Sequence, residues 1–491
     1  MINDILLGFT TLFQPAVFIH MLIGFSIGMF FGIIPGLTAT LAVALLMPLT
    51  FQMQTIPALV TVMAIYMSGI YSGSITATVI NIPGAPTSIV AQMDGYPLMK
   101  KGQGAQALGN AGFASMIGGI IGVFILMFAA PLVSRGSLLL QSADRFSLVF
   151  FALVAVTLIA QGETRVKSLS STVIGVMIGI IGIDYTLPLA RQTFGIDQLS
   201  AGVSLVPAII GAFAISEVLS QVEAGLRAPK ISEVKFKTRD FIPSIKTLKH
   251  IGILTYIKSA LLGIMIGALP GAGATMGSFV AYAEAKRSSK NKENFGKGEI
   301  RGLVAAETAN NAVCSGAIIP LLTLGIPGDT VTAMVFGVLV IHGMIPGPYL
   351  ITEKFHLITP MYAALMVSAV LCFLAAVFFG KFLIKIVKIN RSLLYPFIIS
   401  VSMVGAFASA YSVFQLLLAV IIGVIAYIFK RMNYPIMPII MGMILGPMAE
   451  KYLRQAVSTG NMFIFFVRPA SIFFLILCCI FIFFLGIKKK D

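Results

Sequence analysis

Four Pro-Gly pairs interrupt otherwise apolar stretches of the chain: Pro35-Gly36, Pro83-Gly84, Pro270-Gly271 and Pro327-Gly328. Proline removes a backbone donor and glycine admits dihedral angles closed to other residues, so each pair breaks a helix. Small polar side chains cluster at the breaks: Thr38 and Thr40; Asn81, Thr87 and Ser88; Thr275 beside Gly273; Asp329, Thr330 and Thr332. Opened carbonyls with Asn and Thr oxygens suit a hard cation such as Na⁺, whereas free N–H groups at helix N-termini suit a carboxylate. No Lys or Arg falls within a break. An anion there would have to be held by helix N-termini and hydroxyls. Three roles are open to Asp329: cation ligand, proton carrier, or cap of the next helix.

A second polar group, Glu307, Asn310 and Asn311 in AAETANNAVCSG, opens the apolar segment that leads to the fourth break. Spacings of three and four put the three on adjoining parts of one helical face. Cation binding and hydrogen bonding between helices are both open to the asparagines. His342 reads as a packing residue with a hydrogen bond rather than a proton relay. Cys314, Cys372, Cys478 and Cys479 lie in apolar stretches with no metal-ligand spacing, so no metal site is expected beyond a sodium site.

The elements that hold these residues must be membrane helices. Of 491 residues, 58% are hydrophobic and 11% charged, and mean hydropathy is +0.98, against roughly 25% charged residues in soluble domains. Apolar runs recur from end to end, enough for about 11–13 transmembrane or re-entrant helices at about 20 residues per crossing. The fold class expected is an all-α polytopic membrane protein. The first apolar segment lacks a basic leader and a small-residue cleavage site, so no removable signal is expected.

Lys and Arg total 34 against 18 Asp and Glu, a formal charge of +16. In a soluble chain that would raise the question of nucleic acid; here it points to lipid headgroups and the positive-inside rule, with no nucleic acid expected. No basic residue precedes Lys100, whereas residues 221–250 hold seven and residues 284–301 hold six. Both segments, and the Lys488–Lys490 tail, are expected on the cytoplasmic side, with the N-terminal segment outside. The 33 residues 251–283 must then leave and return to one side. A re-entrant hairpin, or a helix broken at Leu269–Thr275, satisfies that count.

The chain also repeats itself. Residues 28–43 align without gaps on residues 263–278 with six identities in sixteen, including Gly28/Gly263, Gly32/Gly267, Pro35/Pro270 and Gly36/Gly271. Ser72–Gly84 pairs with Ser315–Gly328 after one inserted residue. Gly28/Gly32 and Gly263/Gly267 have the spacing of close helix packing, which leaves the matched Pro-Gly pairs unexplained. Paired broken segments in two halves point to a transporter's binding site near the midplane. Near-uncharged flanks on one copy and basic flanks on the other suggest that the repeats are inverted. The expected division is residues 1–220 as a first membrane repeat, 221–250 as a basic cytoplasmic loop, and 251–491 as a second repeat with accessory C-terminal helices.

These motifs resemble the large membrane subunit, or permease, of the tripartite tricarboxylate transporters. The similar stretches include GIIPGLTATLAVALLMPLTF, YSGSITATVINIPGAPTSIVAQMDGYPLMKKGQGAQALGNA, ALPGAGATMGSFVAYAEAKRSSKNKENFGKGEIRGLVAAETANNA and GAIIPLLTLGIPGDTVTAMVFGVLVIHGMIPGP. They run in family order over most of the chain. The resemblance implies a secondary transporter, multi-pass in the bacterial inner membrane, that takes up small organic carboxylates. It implies a periplasmic solute-binding protein and a small membrane subunit as partners, an Na⁺ or H⁺ gradient as the driving force, and no cofactor. Asp329 stands where the resemblance implies a smaller neutral residue. An intramembrane enzyme lacks support in the residues, with no paired intramembrane aspartates and no HExxH; a channel is the other alternative.

Overall fold

The computed structural model describes residues 2–160, 164–184, 189–225, 237–386, 391–458 and 463–486. Residues 226–236 of the basic 221–250 segment and the Lys488–Lys490 tail lie outside the described residues. The architecture is the all-helical polytopic one expected from composition. Among the described residues, eight helices are long and apolar enough to cross a membrane, and five shorter helices are also apolar.

A short α1 (Ile2–Leu12) leads into α2 (Pro15–Ile33), and the first break separates α2 from α3 (Ala39–Thr50). The second break, with a 3-10 turn at Pro86–Ser88, separates α4 (Thr55–Ile80) from α5 (Ile89–Lys100). Then come α6 (Gly104–Leu138), α7 (Ser142–Ile159) and α8 (Arg165–Gly179), followed by a small hairpin of β1 (Gly182–Ile183) and β2 (Ala190–Arg191). One span-length helix is assembled from α9 (Leu205–Ile209), a π turn (Ile210–Ile215) and α10 (Ser216–Ala224).

The second half opens with α11 (Ile245–Ile251) and α12 (Ile253–Gly267); the third break leads to α13 (Gly273–Arg287). The fourth break separates α14 (Ile300–Leu324) from α15 (Thr330–Ile341). Seven more helices follow among the described residues: α16 (Pro348–Glu353), α17 (Phe355–Ile386), α18 (Arg391–Ala408), α19 (Val413–Arg431), α20 (Ile436–Val457), α21 (Ile464–Val467) and α22 (Pro469–Gly486).

The core is built on α4 and α14. Every residue of α4 from Pro57 to Val79 and of α14 from Gly302 to Thr323 is buried. Helices with no lipid-facing side can carry polar residues on any face, and these two hold Ser68, Ser72, Ser74, Thr76, Thr308, Asn310 and Asn311. α2 lies against α4 through Gly24, Gly28 and Gly32, which face Thr61, Ile65 and Gly69. α12 lies against α14 through Gly263 and Gly267, which face Ala309 and Val313. Small residues allow this close approach, in which backbone packs on backbone.

α12 and α13 fold back on each other, as Gly277 packing toward Gly263 shows, so the segment 251–283 is a helical hairpin. Its tip is held to the fourth break, where the Gly271 N–H donates to the Gly328 carbonyl at 2.9 Å. Gly36 and Gly271 occupy the same place in their breaks and both take positive φ, +88° and +83°, a region that favours glycine. On the basic side, Asp94 of α5 accepts the N–H groups of Gly296, Gly298 and Glu299, each at 2.8 Å, and the Tyr282 hydroxyl at 2.9 Å. One buried carboxylate thereby fastens the 284–301 segment onto the first half.

Candidate functional site

The four helical segments that resume after the breaks begin at a single cavity of about 940 Å³. Thr38, Ala39 and Thr40 bring the start of α3 to it, and Ala85, Pro86 and Thr87 the turn before α5. Gly271 to Met276 bring the start of α13, and Asp329 to Val331 the start of α15. The opposite wall comes from the end of α7, from Phe213 and Glu217 on the π turn and α10, from Lys430 on α19, and from the turn Asn433–Met437 into α20.

Local chemistry fixes each entry. The Thr38 hydroxyl accepts the Leu41 N–H at 3.3 Å and caps α3. Asp329 caps α15: its Oδ1 accepts the N–H and the hydroxyl of Thr332, both at 2.8 Å, and Thr332 Oγ1 accepts the Asp329 N–H at 2.8 Å. Its other oxygen accepts the buried Tyr66 hydroxyl at 2.5 Å. Of the three roles open from the sequence, the structure places Asp329 in the cap, where its charge offsets the positive end of α15. The Thr40 and Thr330 hydroxyls lie 3.0 Å apart, joining the starts of α3 and α15 across the two halves.

Among the sequence candidates, Thr38, Thr40, Thr87, Gly271, Gly273, Thr275, Asp329 and Thr330 line the cavity. Pro35, Pro270, Pro327, Gly84 and Gly328 are buried in the breaks behind it. Gly84 packs against the Gly32 carbonyl, and Gly328 against that of Gly267. Gly36 faces the Gln221 side chain, Pro83 is half-buried, and Ser88 is buried beside Gly73.

Asn81 stands apart. It is exposed and ends α4 with φ 60°, and its side-chain oxygen and carbonyl accept the Gln92 amide at 2.9 and 3.0 Å. Asn310 and Asn311 are fully buried in α14 and do not line the cavity; they donate to the carbonyls of Ile70 and Met67 on α4 at 3.3 and 3.2 Å.

The sequence reading missed Glu217 and Lys430. Lys430 Nζ donates to Glu217 Oε2 at 2.7 Å, and Gln221 Nε2 donates to Glu217 Oε1 at 2.9 Å. The cavity therefore holds a fixed cation from outside the Pro-Gly segments, already engaged by a carboxylate. A signal existed: Glu217 is an acid inside the apolar run Leu205–Glu223, well before the Glu223 that ends it, and an intramembrane acid points to function. The π turn before it is a second signal, visible only in the structure, because such turns collect at functional sites. Lys430, beside Arg431 at a helix end, reads in sequence as an ordinary interfacial anchor. Among the described residues, no three of His, Cys, Asp and Glu gather to hold a metal ion.

No solved structure matches this chain. It is 30% identical to an uncharacterized 52.8 kDa protein in the TAR-I ttuC' 3' region of Agrobacterium vitis, over 98% of this chain and 95% of that one. A second Agrobacterium vitis relative, an uncharacterized protein in the TAR-II ttuC' 3' region, is 32% identical over 44% of this chain and 92% of its own length. Residues 18–441 match the tripartite tricarboxylate transporter TctA family, a family of transporters and not of enzymes. With helix breaks, buried polar core helices and a shared cavity in one chain, this match over most of its length shows that the protein belongs to the tripartite tricarboxylate transporter TctA family.

Proposed function

We propose that the protein is a secondary active permease that takes up small organic carboxylates across the bacterial inner membrane, driven by an Na⁺ or H⁺ gradient. It receives substrate from a periplasmic solute-binding protein and works with a small membrane subunit. The observation that carries the reading is the meeting of four post-break helix starts at one cavity. Helix N-termini offer free N–H groups and a positive dipole end, and the hydroxyls of Thr40, Thr87, Thr275 and Thr330 extend that donor set. About 940 Å³ lies at the upper end of ordinary ligand sites, so a small acid fits with water around it.

Two features bear on the substrate. Asp329 neutralises the start of α15, and Glu217 occupies Lys430, so the fixed charge of the cavity is not that of a strong polyanion trap. A carboxylate of modest charge suits it better than a fully ionised tricarboxylate. Weak holding also favours release, which transport requires.

We read the two halves as inverted, an arrangement that suits alternating access. α2 runs parallel to α4, since Gly24, Gly28 and Gly32 meet Thr61, Ile65 and Gly69 in rising order; α12 runs parallel to α14 by the same test. α6 runs parallel to α14, with Gly118 on Thr308 and Gly122 on Ala312, but antiparallel to α4, with Gly112 on Tyr71 and Gly119 on Met67. On this reading the two copies point in opposite directions. Lys430 at the end of α19 and Glu217 at the start of α10, the helix that runs on into the basic 221–250 segment, line the cavity, and we read it as facing the cytoplasm.

The test is uptake by proteoliposomes holding the chain with its small subunit, given di- and tricarboxylates with its cognate periplasmic binding protein. Accumulation that collapses when the Na⁺ and H⁺ gradients are removed is expected. Absence of uptake for every acid, with a correctly inserted protein, would refute the reading.

A further inference from the structure

Beyond the substrate cavity, the core holds a carboxylate without a counter-charge. Glu307 is 1% exposed, at the centre of a bundle formed by α4, α6, α14 and α17. Its neighbours are neutral: the hydroxyls of Ser74 and Ser115, the latter at 3.3 Å, and the side chain of Asn310. Among the described residues no Lys, Arg or His forms an ion pair with it. An ionised carboxylate in such surroundings is costly unless a positive charge joins it.

One helical turn further on, two more acceptors face the same problem. Asn310 and Asn311 are 0% exposed, and their Oδ1 atoms have no hydrogen-bond partner. Their Nδ2 groups donate to the Ile70 and Met67 carbonyls, that of Asn310 also turning toward the Glu307 carboxylate, which fixes the orientation of both amides. Positions i+3 and i+4 put both asparagines beside Glu307 on α14.

We propose that Glu307, Asn310 and Asn311 form a buried site for a monovalent metal cation the size of Na⁺, separate from the substrate cavity. A proton on Glu307 would satisfy at most one of the idle oxygens, whereas a hard cation takes several oxygen ligands at once and supplies the missing charge. The site also has a route to the cavity: Asn310 holds the carbonyl of Ile70, and Ile70 lines the cavity wall. A cation drawn onto Glu307 and Asn310 acts on the α4 backbone there. That this cation is the coupling ion rests on the transport reading; that the site binds a cation does not.

Thermal unfolding of the purified protein, without any carboxylate, tests the binding. NaCl is titrated against N-methyl-D-glucamine chloride at constant ionic strength and pH. The wild type is expected to show a saturable rise in Tm. Glu307→Gln should abolish that rise, and Asn311→Ala should move its midpoint at least ten-fold toward higher Na⁺. Should Glu307→Gln fail to fold, Asn310→Ala and Asn311→Ala carry the test.

A wild type indifferent to Na⁺, or variants with the wild-type midpoint, would overturn the proposal. Uptake that responds to pH and not to Na⁺, with no Na⁺ effect on Tm, would overturn it in favour of a protonated Glu307. If carboxylate uptake is absent but the Na⁺ response is lost in Glu307→Gln, the transport reading falls and the site stands.

Discussion

Lys430 and Glu217 meet at 2.7 Å with about a quarter of each side chain exposed, 25% and 24%. A pair this open to water contributes about 1 kcal/mol or less to stability. Its interest is the competition it sets up, because a substrate carboxylate must take Lys430 from Glu217. Lys430→Ala should raise the KM for uptake roughly ten-fold, about 1.4 kcal/mol, whereas Glu217→Gln frees the ammonium and should lower it. A purely structural link predicts the reverse pattern: both variants impaired alike, and the charge-swapped pair restored. Initial-rate uptake kinetics on the four proteins decide between them.

At Asn81 the residue scale gives a different answer from the sequence. Asn is common where the backbone turns left-handed, and also where an ion is bound; spacing alone does not separate the two. With φ 60° and its amide acceptor on Gln92, Asn81 ends a helix. Asn81→Gly should leave uptake near wild type. Asn81→Ala should cost about 1 kcal/mol of stability and leave KM unchanged, as thermal unfolding and uptake on one preparation would show.

Among the elements, the breaks were the most legible part of the chain, because proline and glycine act on the backbone wherever they occur. Thr38, Thr40, Thr275 and Thr330 follow from the breaks: a helix that restarts exposes N–H groups, and hydroxyl residues belong there. The opposite wall was not legible. Glu217 and Lys430 reach the cavity through tertiary packing of α10 on α19, which no local pattern records.

The glycine seams carry a prediction of their own. A Cβ at Gly263 would lie 2.5 Å from the Ala309 carbonyl oxygen, which real side chains do not tolerate. Gly263→Leu should therefore drive α12 off α14. Overpacking of this kind costs about 1–3 kcal/mol and should abolish uptake through loss of the hairpin position. Size-exclusion profiles of the Gly263→Leu protein, alongside uptake, check the effect.

For the whole molecule, access to the cavity is the question. Met276 is 39% exposed and lines it. Cys314, Cys372 and Cys478 are buried, so replacing the exposed Cys479 by serine leaves a quiet background. In that background Met276→Cys should react with a membrane-impermeant maleimide in inside-out vesicles and not in right-side-out ones. A transported acid should protect it. Equal labelling from both sides would contradict a cytoplasm-facing cavity.

The burial of α14 has a consequence for how the protein is made. It is 25 residues long, yet it is not among the helices apolar enough to span by composition. A carboxylate or its equivalent at a helix centre opposes insertion by about 2.5–3.5 kcal/mol, and Glu307 sits beside two amides. α14 is therefore a poor passenger for the insertion machinery when presented alone. The α6 seam of Gly118 and Gly122, the α4 carbonyls of Met67 and Ile70, and the Ser115 hydroxyl must already be in place to receive it. Biogenesis then runs in chain order, with the first half acting as an intramolecular chaperone for the strand of polar chemistry that follows.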